Sequence, residues 1–187
     1  MIEDLENITV KELFQLEEET FNKYLKLQEL LKPLDNFCGY EAKALSHLEF
    51  GQVANLKEYF NEPTDAGILD AFKIVFGVKE RQYFAADVVS YFYALNWIKI
   101  EVEKLVALEV KMLSGKPDPL MEMAGADRLQ VFKELPILKR LGKEYGQPPQ
   151  VIETWKYNFI FSLLLLDIVE TDVQENYNQL KKTQKPR

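Results

Sequence analysis

The last forty residues constrain this chain more than any other stretch. Pro148-Pro149 opens a segment carrying Val151, Ile152, Trp155, Tyr157, Phe159, Ile160, Phe161, Leu163 to Leu166, Ile168, Val169, Val173, Tyr177 and Leu180. The spacing predicts one long helix over about 149–182, apolar almost all round at its centre. A helix of that kind is buried in a domain core, in another chain or in a membrane. A spanning helix needs about 20 apolar residues, and the longest uncharged run here, Tyr157 to Leu166, has ten. Glu153, Asp167, Glu170 and Asp172 flank it and argue against a helix lying on a membrane. The expectation is a helix central to a protein core, where Leu164→Asp would bury an unpaired carboxylate and prevent folding.

The helical period recurs along the rest of the chain. Thr9 with Glu12 three residues on is a capping-box pattern opening a helix over about 10–16. Glu17 to Leu31 continues it, with Phe21, Tyr24, Leu25 and Leu31 on one face diluted by Gln28, and Pro33 ends it. Residues 34–41 read as a loop around Gly39. A helix over about 50–60 turns Val53, Leu56, Tyr59 and Phe60 inward. The next is capped by Asp65, carries Ile68, Leu69, Phe72, Val75 and Phe76, and stops at Gly77. Residues 78–84 read as a connecting turn, and 85–113 as a second long helix. Gly115 and Pro117-Asp118-Pro119 stop it. Residues 120–146 give two short helices split at Pro136, with Gly125 and Gly142 as breaks. The predicted fold is all-α, an irregular bundle of about seven to nine helices around the two long ones. It forms a single domain, 1–187, with lobes 1–114 and 120–187.

Chemistry is sparse. The net charge is −7, and the last seven residues carry +4, which leaves −11 on residues 1–180. An acidic body of that size repels nucleic acid and anionic lipid. Cys38 is the only cysteine, so no disulfide forms within the chain; this favours a reducing compartment and an inert buried thiol. His47 is the only histidine, and its neighbour Ser46 lies about 100° away on a helix, so the pair makes no triad. Metal-ligand spacings of cysteine or histidine are absent. A carboxylate-only Mg²⁺ site could draw on Glu17, Glu18 and Glu19 with Glu101 and Glu103, or on Asp167, Glu170 and Asp172. Solvated helix faces explain these runs better. No phosphate-cradling glycine motif is present. No catalytic residue, metal or cofactor is assigned.

The surplus is aromatic. Tyr83, Phe84, Tyr93 and Trp97 lie close in sequence, and Trp155 and Tyr157 follow later. Core packing accounts for most rings, and these six are the candidates for a partner-binding surface, since Tyr and Trp dominate interface energetics.

Several segments resemble tail assembly chaperones of tailed bacteriophages. They are Thr9-Val10-Lys11-Glu12-Leu13-Phe14 with Tyr24-Leu25, and Leu48-Glu49-Phe50-Gly51-Gln52-Val53. Asp118-Pro119 with Met123-Ala124-Gly125 and Leu129, and Trp155-Lys156-Tyr157 ahead of Phe161, Leu164 and Leu165, complete the set. The resemblance is scattered along most of the length and carries no functional residue across. It implies a non-enzymatic assembly protein of the host-cell cytoplasm that binds a tape-measure or other virion protein through helix faces. A structural protein of the virion, at the neck or inside the capsid, resembles the chain nearly as well. A small all-α Mg²⁺-dependent nucleotide hydrolase and a cytosolic adaptor are the other readings, and the oligomeric state stays open.

Overall fold

The computed structural model describes residues 8–114, 120 and 123–183. Nine α-helices, two 3-10 turns and one small hairpin occur among the described residues, so the fold class is all-α. The chain divides into two compact units, Met1–Leu48 with Gln52–Val106, and Glu49–Gly51 with Ala107–Arg187. The division falls inside a long helix, at 106/107, and not at the predicted boundary of 114–119, most of which lies outside the described residues.

The first unit opens with α1 (Val10–Leu13), closed by the predicted capping box. The Thr9 amide donates to Glu12 Oε2 at 2.8 Å and the Glu12 amide to Thr9 Oγ1 at 3.3 Å. The chain turns after Leu13 and restarts as a separate helix, α2 (Glu18–Gln28), in which no residue is buried. Gln28 does more than dilute a stripe. Its Nε2 donates to Asn96 Oδ1 at 2.9 Å, and Asn96 Nδ2 donates back to the Gln28 and Leu31 carbonyls.

Residues 34–41, expected as plain loop, hold the hairpin β1 (Asn36–Phe37) and β2 (Tyr40–Glu41). Its two-residue turn places Cys38 at φ 50° and Gly39 at φ 87°. Positive φ at both central positions matches the right-handed twist of paired strands. Cys38 is therefore exposed at the turn, which corrects its reading as a buried thiol. The turn also places Phe37 in the core.

After a 3-10 turn (Leu45–His47) come α3 (Phe50–Asn61) and α4 (Asp65–Phe76). The cap of α4 is Thr64, not Asp65: Thr64 Oγ1 accepts from the Gly67 amide at 3.1 Å, and Asp65 is the first helical residue. Gly77 ends the helix at φ 70°, as expected. The predicted turn at 78–84 contains a helix, α5 (Glu80–Ala85), which places Tyr83 in the core. The long helix α6 (Val88–Leu113) starts three residues later than predicted and buries Tyr91, Phe92, Ala94, Leu95, Ile98, Val102 and Leu105.

In the second unit a 3-10 turn (Ala126–Phe132) precedes α7 (Leu135–Tyr145), α8 (Pro149–Glu153) and α9 (Tyr157–Thr183). Pro136 sits in the first turn of α7, where a missing N–H costs no hydrogen bond, so it starts the helix and does not split one. Gly142 is not a break. It is buried within α7, and a Cβ there would lie 2.6 Å from the Gln147 carbonyl oxygen. Gly125, at φ 82°, precedes the 3-10 turn.

The largest correction concerns α9. It begins at Tyr157, after the separate helix α8, and only Tyr157 and Ile160 of it are buried. Leu164 is half-buried, so the expectation of a core helix pinned there is wrong. At about 100° per residue, Tyr157, Ile160, Leu164 and Ile168 fall on one face, and all four are buried or half-buried. Phe159, Leu166, Val169, Val173, Tyr177 and Leu180 fall on the opposite face and are exposed. Two separate apolar faces produce an all-round apolar pattern in the sequence.

Truncations at the two kinds of position should part clearly in denaturant unfolding. Phe72→Ala, in a fully buried site, should cost about 3–5 kcal/mol. Val110→Ala, at a site exposed in the same structure, should stay within about 0.5 kcal/mol.

Candidate functional site

The six candidate aromatic residues do not form one surface. Tyr83 is buried in the first unit, packed edge-on to Phe72 at 5.1 Å and to Tyr91 at 5.8 Å. Phe84 is half-buried with its ring 5.1 Å from that of Tyr83. Tyr93 is half-buried, and its carbonyl accepts from the Leu34 amide. Trp97 is half-buried 6.4 Å from Phe76. In the second unit Tyr157 is buried and its hydroxyl donates to Glu109 Oε1 at 2.9 Å. Tyr83 and Tyr157 are thus core rings, which corrects their placement on a partner surface. Trp155 differs: it is half-buried between Tyr145 at 5.4 Å and Phe159 at 5.5 Å, and both of those rings are exposed.

The groups tested for chemistry are dispersed. Ser46 and His47 are exposed on and beside the 3-10 turn. Cys38 is exposed as a residue, yet partial burial of its thiol raises its pKa, the Asp87 carboxylate adds to this, and a hydrogen bond with Ser90 opposes it. A thiol held protonated is a poor nucleophile. Glu19 pairs with Lys23, Glu101 with Lys104, and Asp167 with Arg140. Among the described residues no three His, Cys, Asp or Glu side chains converge on a point that could hold a metal ion. No described helix is long and apolar enough to cross a membrane.

What the second unit does expose is apolar side chains. Leu129, Val131, Phe132 and Leu135 are all open to solvent around the 3-10 turn and the start of α7. A groove of about 510 Å³ runs along them, lined by Leu129, Phe132, Leu135, Pro136, Lys139, Arg140 and Lys143. Its floor is apolar and its rim is basic. The rim arises because Lys139, Arg140 and Lys143 recur at helical spacing along one side of α7. Sequence reasoning passed over this site. The available signal was three basic residues within five positions of an otherwise acidic body. Comparisons with protein-family models, curated proteins and solved structures give no match.

The buried phenols make a prediction about alkaline stability. Burial, above all, pushes Tyr91 up from 10.0 to about 12, with Asp65 adding and a hydrogen bond with Tyr83 opposing. The folded state thus favours the neutral phenol. Its contribution is complete below pH 10.0 and is lost as pH rises through about 12. Burial raises Tyr83 and Tyr157 in the same direction. Melting temperature followed across this window should fall steeply in the wild type and less steeply in Tyr91→Phe.

Proposed function

We propose that the chain is a non-enzymatic assembly protein that recognises a partner protein through its helix faces, in the manner of a tail assembly chaperone. The partner is a tape-measure protein or another protein of the virion. The observation that carries this reading is the groove of α7, an apolar floor of Leu129, Phe132 and Leu135 under a basic rim of Lys139 and Lys143. Such a groove suits an amphipathic helix with an apolar stripe and acidic flanks. Burial of the stripe supplies affinity, and the rim selects orientation and speeds encounter. Leu129, Val131, Phe132 and Leu135 are exposed side by side among the described residues. Contiguous exposed apolar surface of this kind marks sites of protein recognition.

A tagged pull-down from phage-infected producing cells, read by mass spectrometry, tests the proposal. The wild type should retain a tape-measure or other virion protein. Phe132→Ser with Leu135→Ser should reduce that retention by about tenfold or more while leaving the melting temperature unchanged. Recovery of metabolic or regulatory host proteins alone, or of nothing, would overturn it.

A further inference from the structure

The exposed face of α9 has a symmetry that the groove lacks. Leu166, Val169, Val173, Tyr177 and Leu180 are each between 49% and 62% exposed. On a regular helix they fall within an arc of about 80°. Their spacing is three, four, four, three, which reads the same in both directions from Val173. The four steps from Leu166 to Leu180 average about 3.5 residues per turn, the heptad value, so two such seams stay in contact through a slight left-handed supercoil.

We propose that this face binds the same face of a second copy of the chain, antiparallel and centred on Val173. In that register Leu166 meets Leu180, Val169 meets Tyr177, and Val173 meets its own copy. Each apolar residue of the stripe then has an apolar partner, and no polar side chain is forced into the seam. An isologous contact of this kind closes on itself as a dimer.

Charge selects the direction. Asp167, Glu170, Asp172 and Glu175 lie in the middle of α9, and Lys181 and Lys182 at its end. A parallel pair would set the carboxylates against their own copies and the lysines against theirs. An antiparallel pair separates the lysines of the two copies and brings Lys181 and Lys182 level with residues 165 and 164 of the partner subunit, one turn or less from its Asp167. Glu170 and Lys181 border the stripe on the same side, and a two-fold axis brings equivalent sides together; Lys181 lies about 7.5 Å along the axis from Glu170 of the partner subunit, a gap that the two long side chains, leaning toward each other, span. Antiparallel helices also set opposite ends of their dipoles together. This pairing uses neither the groove of α7 nor its rim, so the dimer and the partner-binding reading stand or fall separately.

Disulfide mapping on the full chain tests it, with Cys38→Ser removing the exposed native thiol. Under mild oxidation Val173→Cys should cross-link into a dimer. Leu166→Cys alone and Leu180→Cys alone should not cross-link, and an equal mixture of the two should. All three sites are exposed, so the substitutions leave the fold in place. Sedimentation velocity adds a second readout. Lys181→Glu and Glu170→Lys should each weaken self-association by about fivefold, and the double swap should restore it. A wild-type chain that sediments as a monomer at every concentration assigns the stripe to a different protein and overturns the proposal. Self-cross-linking of Leu166→Cys, or charge swaps without effect, overturns the antiparallel register.

Discussion

Phe72 is the packing centre on which the first unit depends. Its ring lies 4.7 Å from Phe37, 5.1 Å from Tyr83 and 5.4 Å from Tyr91. Those rings come from four different elements, the hairpin, α4, α5 and α6. Each large ring removes about 150–250 Å² from water and fixes geometry through edge-on or offset packing. The elements around it are short; α5 has six residues and each strand two. Pieces that small have little stability alone. They hold their conformation because each contributes a ring to the same cluster. The Tyr83 hydroxyl is buried inside this cluster beside that of Tyr91, a polar burial tolerated in a close-packed core.

This dependence explains what was legible in the sequence. Local rules predicted local structure. Thr9 and Glu12 form their capping box, Gly77 ends α4, and α6 shows its apolar stripe because their causes lie within a few residues. The hairpin and α5 were missed because their causes are distant. A two-residue strand has no periodicity to read, and α5 is one and a half turns long. Both are set by Phe37 and Tyr83 reaching Phe72. Gln28 was misread for the same reason, since its hydrogen bonds go to Asn96, sixty-eight positions away.

The site residues failed differently. Core packing accounts for most of the aromatic surplus, and it accounts for the candidates Tyr83 and Tyr157 too, which are buried. Trp155 alone of the six joins exposed rings on both sides. The proposed recognition surface is instead a groove of mixed apolar and basic side chains, spread over a 3-10 turn and the start of α7. Its residues are ordinary in type, and only their joint exposure marks them. Exposure depends on what the rest of the chain leaves uncovered, which a single sequence read by pattern does not contain.

α9 carries this furthest. Its first turn is anchored by Tyr157, Ile160 and the Tyr157–Glu109 hydrogen bond. From Val169 to Thr183 every residue is exposed, so tertiary packing among the described residues adds little to the last four turns. Isolated helices of that length are marginal in water. Local terms such as the Gln174–Asn178 hydrogen bond and the lysines at the negative end of the dipole each contribute only tenths of a kcal/mol. Yet the segment keeps an unbroken apolar seam on one side, which is unfavourable in water for a helix that ends in solvent. A second apolar face is stabilising only when something outside the chain covers it. The seam's symmetry about Val173 and the separation of acidic from basic residues along the same helix are properties of a surface matched to itself.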